Sequence, residues 1–128
     1  MITLEGVIPV LITPIKKDGE VDELALSRLV DYLNGMDIGG FWVLGTGGED
    51  MNLTYSQRFR VAEIVVEANS GKSPLILGTG FFSWMDTLNF LNDTKKLNFD
   101  AYHYMPYHPL LSLERIKWIY ENLGHIAS

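Results

Sequence analysis

Two apolar rhythms alternate along this chain. Continuous apolar runs occupy residues 7–12 (VIPVLI), 41–44 (FWVL), 74–77 (PLIL) and 101–105 (AYHYM). Runs of this length without alternation predict strands covered on both faces, as in a parallel sheet. Between them the period changes to helical. The first helix is predicted over 22–36, where Leu26, Leu29, Val30 and Leu33 recur at i, i+3, i+4 and i+7. Thr54 opens a second with a capping box closed by Gln57, and its stripe is Val61, Ile64, Val65 and Ala68. Ser83-x-x-Asp86 predicts a weaker third helix carrying Leu88 and Leu91, and Ser112 starts a fourth with Ile116, Ile119, Tyr120 and Leu123. Gly39-Gly40 and Gly71 are the stops, and Lys17-Asp18-Gly19 supplies turn chemistry after the first strand.

Strict strand–helix alternation implies a parallel sheet with right-handed crossovers. The fold class is therefore α/β, as four consecutive βα units. A doubly wound open sheet and part of a (β/α)₈ barrel both satisfy the pattern. Both place ligands at the carboxyl ends of the strands.

Composition narrows the function. The chain has 128 residues, 47% hydrophobic and 20% charged, which excludes a disordered tail and suits a single domain over 1–128 without a linker. That length is also only about half of a (β/α)₈ barrel. No apolar run reaches the ~18–20 residues of a membrane helix. The first lysines follow the opening apolar stretch, so no secretory signal is expected. Sixteen acidic against ten basic residues, with no basic cluster, argue against nucleic-acid binding. With no cysteine, disulfides and thiolate chemistry drop out, and a reducing cytoplasm is the expected setting.

The predicted strand ends carry the candidate chemistry. Thr13-Pro14 follows the first strand, Gly45-Thr46-Gly47-Gly48-Glu49 the second, Gly78-Thr79-Gly80 the third and Pro106-Tyr107-His108-Pro109 the fourth. Glycines let backbone N–H groups approach and converge on an anion such as a carboxylate. The hydroxyls of Thr46 and Thr79 can donate to the same anion. Neither glycine turn has the spacing of a dinucleotide fingerprint or a P-loop. His108, beyond the last strand, is a candidate for proton transfer, whereas His103 reads as an interior histidine. Zinc spacing is missing around both, so no metal is expected. Trp42, Trp84 and Trp118 read as packing residues, with Trp84 placed to line a pocket, and His125 reads as a solvated surface group.

Taken in order, Thr13-Pro14, Asp18-Gly19-x-Val21-Asp22, Gly39-Gly40, Gly45-Thr46-Gly47-Gly48-Glu49, Leu53-Thr54, Gly78-Thr79-Gly80 and Pro106-Tyr107 resemble the dihydrodipicolinate synthase/N-acetylneuraminate lyase family. The resemblance covers essentially the whole chain, and Gly-Thr-x-Gly-Glu followed by Leu-Thr is its most specific part. It implies the N-terminal half of a (β/α)₈ TIM barrel, strands one to four. It also implies a class I lyase or aldolase, in which a lysine condenses with the keto group of pyruvate or a similar 2-keto acid. No cofactor is implied, and a cytoplasmic homo-oligomer, a dimer or tetramer, is.

Carried over by position, Gly45, Thr46, Gly47 and Gly48 form the loop that holds the keto-acid carboxylate. Thr46 is also a proton-relay position, and Glu49 braces the loop. Gly47 stands where many members have a hydroxyl. Tyr107 starts a Pro-Tyr-Tyr element whose second tyrosine, a relay group at a tight dimer interface, is His108 here. Both departures imply a divergent lyase or aldolase rather than a true synthase. The Schiff-base lysine and its companion tyrosine belong to later strands, so this chain alone is expected to be inactive. The other readings are a half barrel or a flavodoxin-like module that binds a small carboxylate without imine chemistry.

Overall fold

The computed structural model describes residues 2–106 and 108–127. Three short parallel strands, β1 (Phe41–Val43), β2 (Leu75–Gly78) and β3 (Ala101–His103), lie in the order β1-β2-β3. Their register pairs Trp42 with Ile76 and Ile76 with Ala101, then Val43 with Leu77 and Leu77 with Tyr102. Helices α1 (Glu23–Asn34), α2 (Tyr55–Asn69), α3 (Trp84–Thr94) and α4 (Leu113–Ala127) complete the four units.

The first predicted strand is the main departure. Residues 7–12 are extended, but a single bridge, Val10 to Trp42, joins them to the sheet. Around it Leu11 N–H donates to the Trp42 carbonyl (2.9 Å) and Trp42 N–H to the Pro9 carbonyl (3.0 Å). Pro9 has no N–H to return, so the ladder cannot propagate toward the N-terminus. Nor is this run covered on both faces: Val10 is 40% and Ile12 61% exposed, because among the described residues no helix packs on the concave side of the sheet.

The convex side is the core. Phe41, Val43, Leu75 and Leu77 point outward onto Leu26 and Val30 of α1, Val61 and Val65 of α2 and Phe90 of α3. Alternation along a strand then turns Trp42 and Ile76 to the concave face. A smaller cluster of Leu91, Ile119 and Leu123 takes in Tyr102 and Tyr104, so Ala101 and His103 also face the concave side. Trp84 belongs to this cluster too. It meets Trp118 edge-on at 5.1 Å and joins α3 to α4.

The helix starts follow local chemistry. Asp22 caps α1 by accepting from Ala25 N–H, and Thr54 and Gln57 form the full capping box of α2. Ser83 accepts from Asp86 N–H at the start of α3 (3.3 Å). The buried stripe of α3 is Thr87, Phe90, Leu91 and Thr94, with Leu88 only half-buried, and Thr94 sends its hydroxyl to the Phe90 carbonyl (2.7 Å). Among the described residues, no helix is long and apolar enough to cross a membrane.

Candidate active site

The turn after β1 begins with an unusual backbone. Leu44, predicted as the last residue of the strand, has φ of +59° and ends it one residue early. A left-handed leucine costs roughly 1 kcal/mol or more. Here it directs the side chain into the core, 1% exposed, and turns the carbonyl toward β2. A Cβ on Gly78 would lie 1.7 Å from that oxygen, so the two strand ends close only over a glycine.

Thr46–Gly48 then form one 3₁₀ turn, with Gly48 N–H donating to the Gly45 carbonyl (2.9 Å) and Glu49 N–H to the Thr46 carbonyl (3.0 Å). The N–H groups of Thr46 and Gly47 donate to no protein acceptor among the described residues, and both residues are exposed. The turn rests on the first extended segment. A Cβ on Gly48 would stand 2.6 Å from the Leu11 carbonyl oxygen, and one on Gly47 would stand 3.1 Å from Val10 Cγ1. Thr13 Oγ1 donates to the Gly48 carbonyl at 2.8 Å and locks the arrangement. The loop is thus braced by Thr13 and by main-chain bonds. The Glu49 side chain is exposed and makes no hydrogen bond among the described residues; its backbone, at φ of +55°, makes the bend.

The second glycine turn plays a different part from the one expected. Thr79 is 1% exposed, and both its N–H (2.8 Å) and its hydroxyl (3.1 Å) donate to the His103 carbonyl. It extends the sheet toward β3, and its hydroxyl is not offered to an anion. Gly80 accepts from Arg58 Nη1 at 2.6 Å. Arg58 is 2% exposed, lies 3.9 Å above the Phe81 ring and reaches Met51 Sδ at 3.5 Å. One guanidinium therefore ties α2 to both glycine turns, a role its sequence position did not announce.

His108 sits on the segment between β3 and α4. Its ring packs on exposed Phe82 at 5.7 Å, and its Nδ1 accepts from Leu110 N–H at 3.2 Å. No hydrogen bond joins the two relay candidates among the described residues, and Tyr107 lies outside those residues. His103, read as a buried core residue, is instead half-buried on the concave face. Its ring meets Trp42 edge-on at 4.5 Å. Burial holds its imidazole below the ordinary histidine range, against an opposing pull from Asp50. Asp50, fully buried at the end of the same glycine loop, was also missed, because an acid after Gly-Gly-Glu gives no local sign of burial. A cavity of about 210 Å³ opens along the edge of β3, where Thr79 and His103 line it together with Tyr102, Tyr104, Tyr120 and Leu123.

Comparison with known proteins agrees with this geometry. Residues 3–123 match the Dihydrodipicolinate synthetase family. A 4-hydroxy-tetrahydrodipicolinate synthase of Pelobacter propionicus is 42% identical over 99 residues, which cover 76% of this chain and 33% of that protein. The N-acetylneuraminate lyase of Mycoplasma synoviae superimposes with a TM-score of 0.89 at 27% identity, covering 98% of this chain and 44% of the lyase. Dihydrodipicolinate synthase from Aquifex aeolicus gives 0.87 at 27% identity, covering 94% and 41%. The chain spans well under half the length of each of these relatives, and the part it matches is the N-terminal half of their (β/α)₈ barrel. A parallel βα sheet open on its concave face, a glycine turn with free N–H groups at the strand ends, and a family match over 3–123 together make this chain a member of the dihydrodipicolinate synthetase family.

Proposed function

We propose that this chain supplies the carboxylate-binding half of the site of a pyruvate-dependent Schiff-base lyase or aldolase, and that it forms no imine by itself. The observation that carries this reading is the turn after β1. Thr46 and Gly47 present two successive N–H groups and the Thr46 hydroxyl at the carboxyl end of the sheet, on a loop fixed by Thr13 and Leu11. A 2-keto acid held there by its carboxylate points its keto carbon into the concave face, where a lysine of a later strand would attack it.

The chain's own lysines are badly placed for that step. Lys16 and Lys17 are exposed around the Ile15–Val21 bridge, and Lys72 precedes β2. Lys95 donates to the Ile126 carbonyl (2.5 Å), Lys96 lies 5.2 Å over the Phe59 ring and Lys117 faces Glu121 at 3.9 Å. None of them stands desolvated at the carboxyl end of a strand, where an imine lysine's pKa is lowered. In the same reading 1–128 is a single partial domain, the whole protein is cytoplasmic and homo-oligomeric, and Tyr107 and His108 contribute from the rim. Gly47 and His108, where many members carry hydroxyl groups, support a divergent lyase over a true synthase.

Borohydride trapping with pyruvate, read by intact mass, tests the reading. The 128-residue chain should give no adduct, whereas a longer form carrying the later strands should gain one reduced pyruvyl group. An adduct on the short chain, or none on the long one, overturns it.

A further inference from the structure

His103 is the side chain of the concave face that neither the core nor the rim accounts for. Its neighbour across the sheet in register is Gly78, so no side chain stands beside it there. The Trp42 indole fills that space and meets the imidazole edge-on at 4.5 Å with the planes 65° apart. The same indole runs beneath the carboxylate turn. Its Nε1 is buried, has no hydrogen-bond partner among the described residues and lies 3.1 Å from where a Cβ on Gly45 would be. One rigid side chain thus spans from Gly45 to His103. Asp50, at the end of the glycine loop, is the charged group acting on the imidazole. The His103 carbonyl is committed to Thr79, which fixes the backbone of the residue, whereas its ring nitrogens make no hydrogen bond among the described residues.

A half-buried imidazole clamped in place with both nitrogens unengaged is costly as packing and useful as a contact, since a polar group removed from water needs a partner. The alternative imidazole, His108, already spends Nδ1 on Leu110 N–H and packs on an exposed ring. We propose that His103 is a substrate-contacting residue, its imidazole hydrogen bonding the 2-keto acid held on the turn formed by Gly45, Thr46, Gly47 and Gly48, with Trp42 as its positioning residue. The proposal rests on the carboxylate reading of that turn. A neutral imidazole offers one donor and one acceptor. It therefore suits the mixed carbonyl and hydroxyl oxygens of a keto acid or its hydrate, and is a poor match for a phosphate.

The test is a pyruvate titration of the chain itself, followed by NMR of the backbone amides and the imidazole rings. The His103 ring resonances are assigned by their loss in His103→Gln, and the titration is read on the unsubstituted chain, so His103 is followed in an intact site. Saturating pyruvate should move the amides of Thr46 and Gly47. It should also shift the His103 ring resonances and raise that ring's titration midpoint, because a bound anion favours the imidazolium. Trp42→Phe should keep the amide shifts and reduce the His103 shift at least twofold. If the amides move and the His103 ring does not, the proposal is overturned and the carboxylate reading stands. If the amides do not move either, both fail together.

Discussion

Gly47 and Gly48 are adjacent in the same turn, yet a methyl group should have opposite consequences at the two. A Cβ on Gly48 would come within 2.6 Å of the Leu11 carbonyl oxygen, which is main chain and cannot rotate away. Either the turn or the first extended segment must shift by several tenths of an ångström. Overpacking of that kind costs about 1–3 kcal/mol. The shift also loosens two bonds that hold the segment, Leu11 N–H to the Trp42 carbonyl at 2.9 Å and Thr13 Oγ1 to the Gly48 carbonyl at 2.8 Å. With a net worth near 1 kcal/mol for each bond, the total for Gly48→Ala is about 3 kcal/mol. At this chain length that is a fall in Tm of roughly 10 °C. A Cβ on Gly47 would meet only Val10, with Cγ1 at 3.1 Å and Cβ at 3.5 Å, in a residue 40% exposed on the concave face. Val10 can yield, and the alanine also restricts the unfolded chain, worth about 0.4–1 kcal/mol in the other direction. Gly47→Ala should therefore melt within about 2 °C of the parent. Paired thermal and urea unfolding of the two variants decides the matter. Equal losses, or a larger loss at Gly47, would refute the account of how the turn is seated.

Other outcomes follow from the same contacts. Gly47→Ser should tighten pyruvate binding by about fivefold, since one added hydrogen bond to the carboxylate nets ~1 kcal/mol; calorimetry showing unchanged or weaker affinity sinks this. Arg58→Met leaves the Gly80 carbonyl without its 2.6 Å donor and should lower stability by about 2 kcal/mol, read as a shift in urea midpoint. Lysine at that position should not restore it, because one ammonium cannot both stack on Phe81 and bridge to Gly80. The unfolded chain binds a proton at His103 more readily than the folded one, so stability should be level above pH about 6.5 and decline as the pH falls from there toward the lower folded value. His103→Gln should remove that part of the slope, while the decline below pH about 4.5 that accompanies Glu23 and Glu114 should persist. Thr54→Ala, which breaks the capping box, should cost about 1 kcal/mol in the same assay.

Much of the architecture was legible because its causes are local. The alternation of apolar runs with helical stripes, the caps at Thr54 and Ser83, and the glycine turns at the strand ends each depend on residues a few positions apart. The family motif was legible for the same reason. Even there, local signals overreached. Residues 7–12 have the composition of a strand, but Pro9 stops the ladder on the N-terminal side of the one bridge, and Leu44 leaves its strand through a left-handed conformation that no leucine announces.

By itself, then, the sequence determined the order of the units, their class, and the family motif in the turn after β1. Only the tertiary structure decided what each side chain near that turn is free to do. Thr79 looked like a second anion donor until β3 took its hydroxyl, and His103 looked like core until the concave face was found open. Arg58 became the strap between two loops through a partner 22 residues away, and Thr13 locked the turn from 35 residues away. The physical reason is common to all four. Periodicity and capping are set by neighbours along the chain, whereas the availability of a donor or an imidazole depends on what the fold brings against it through space.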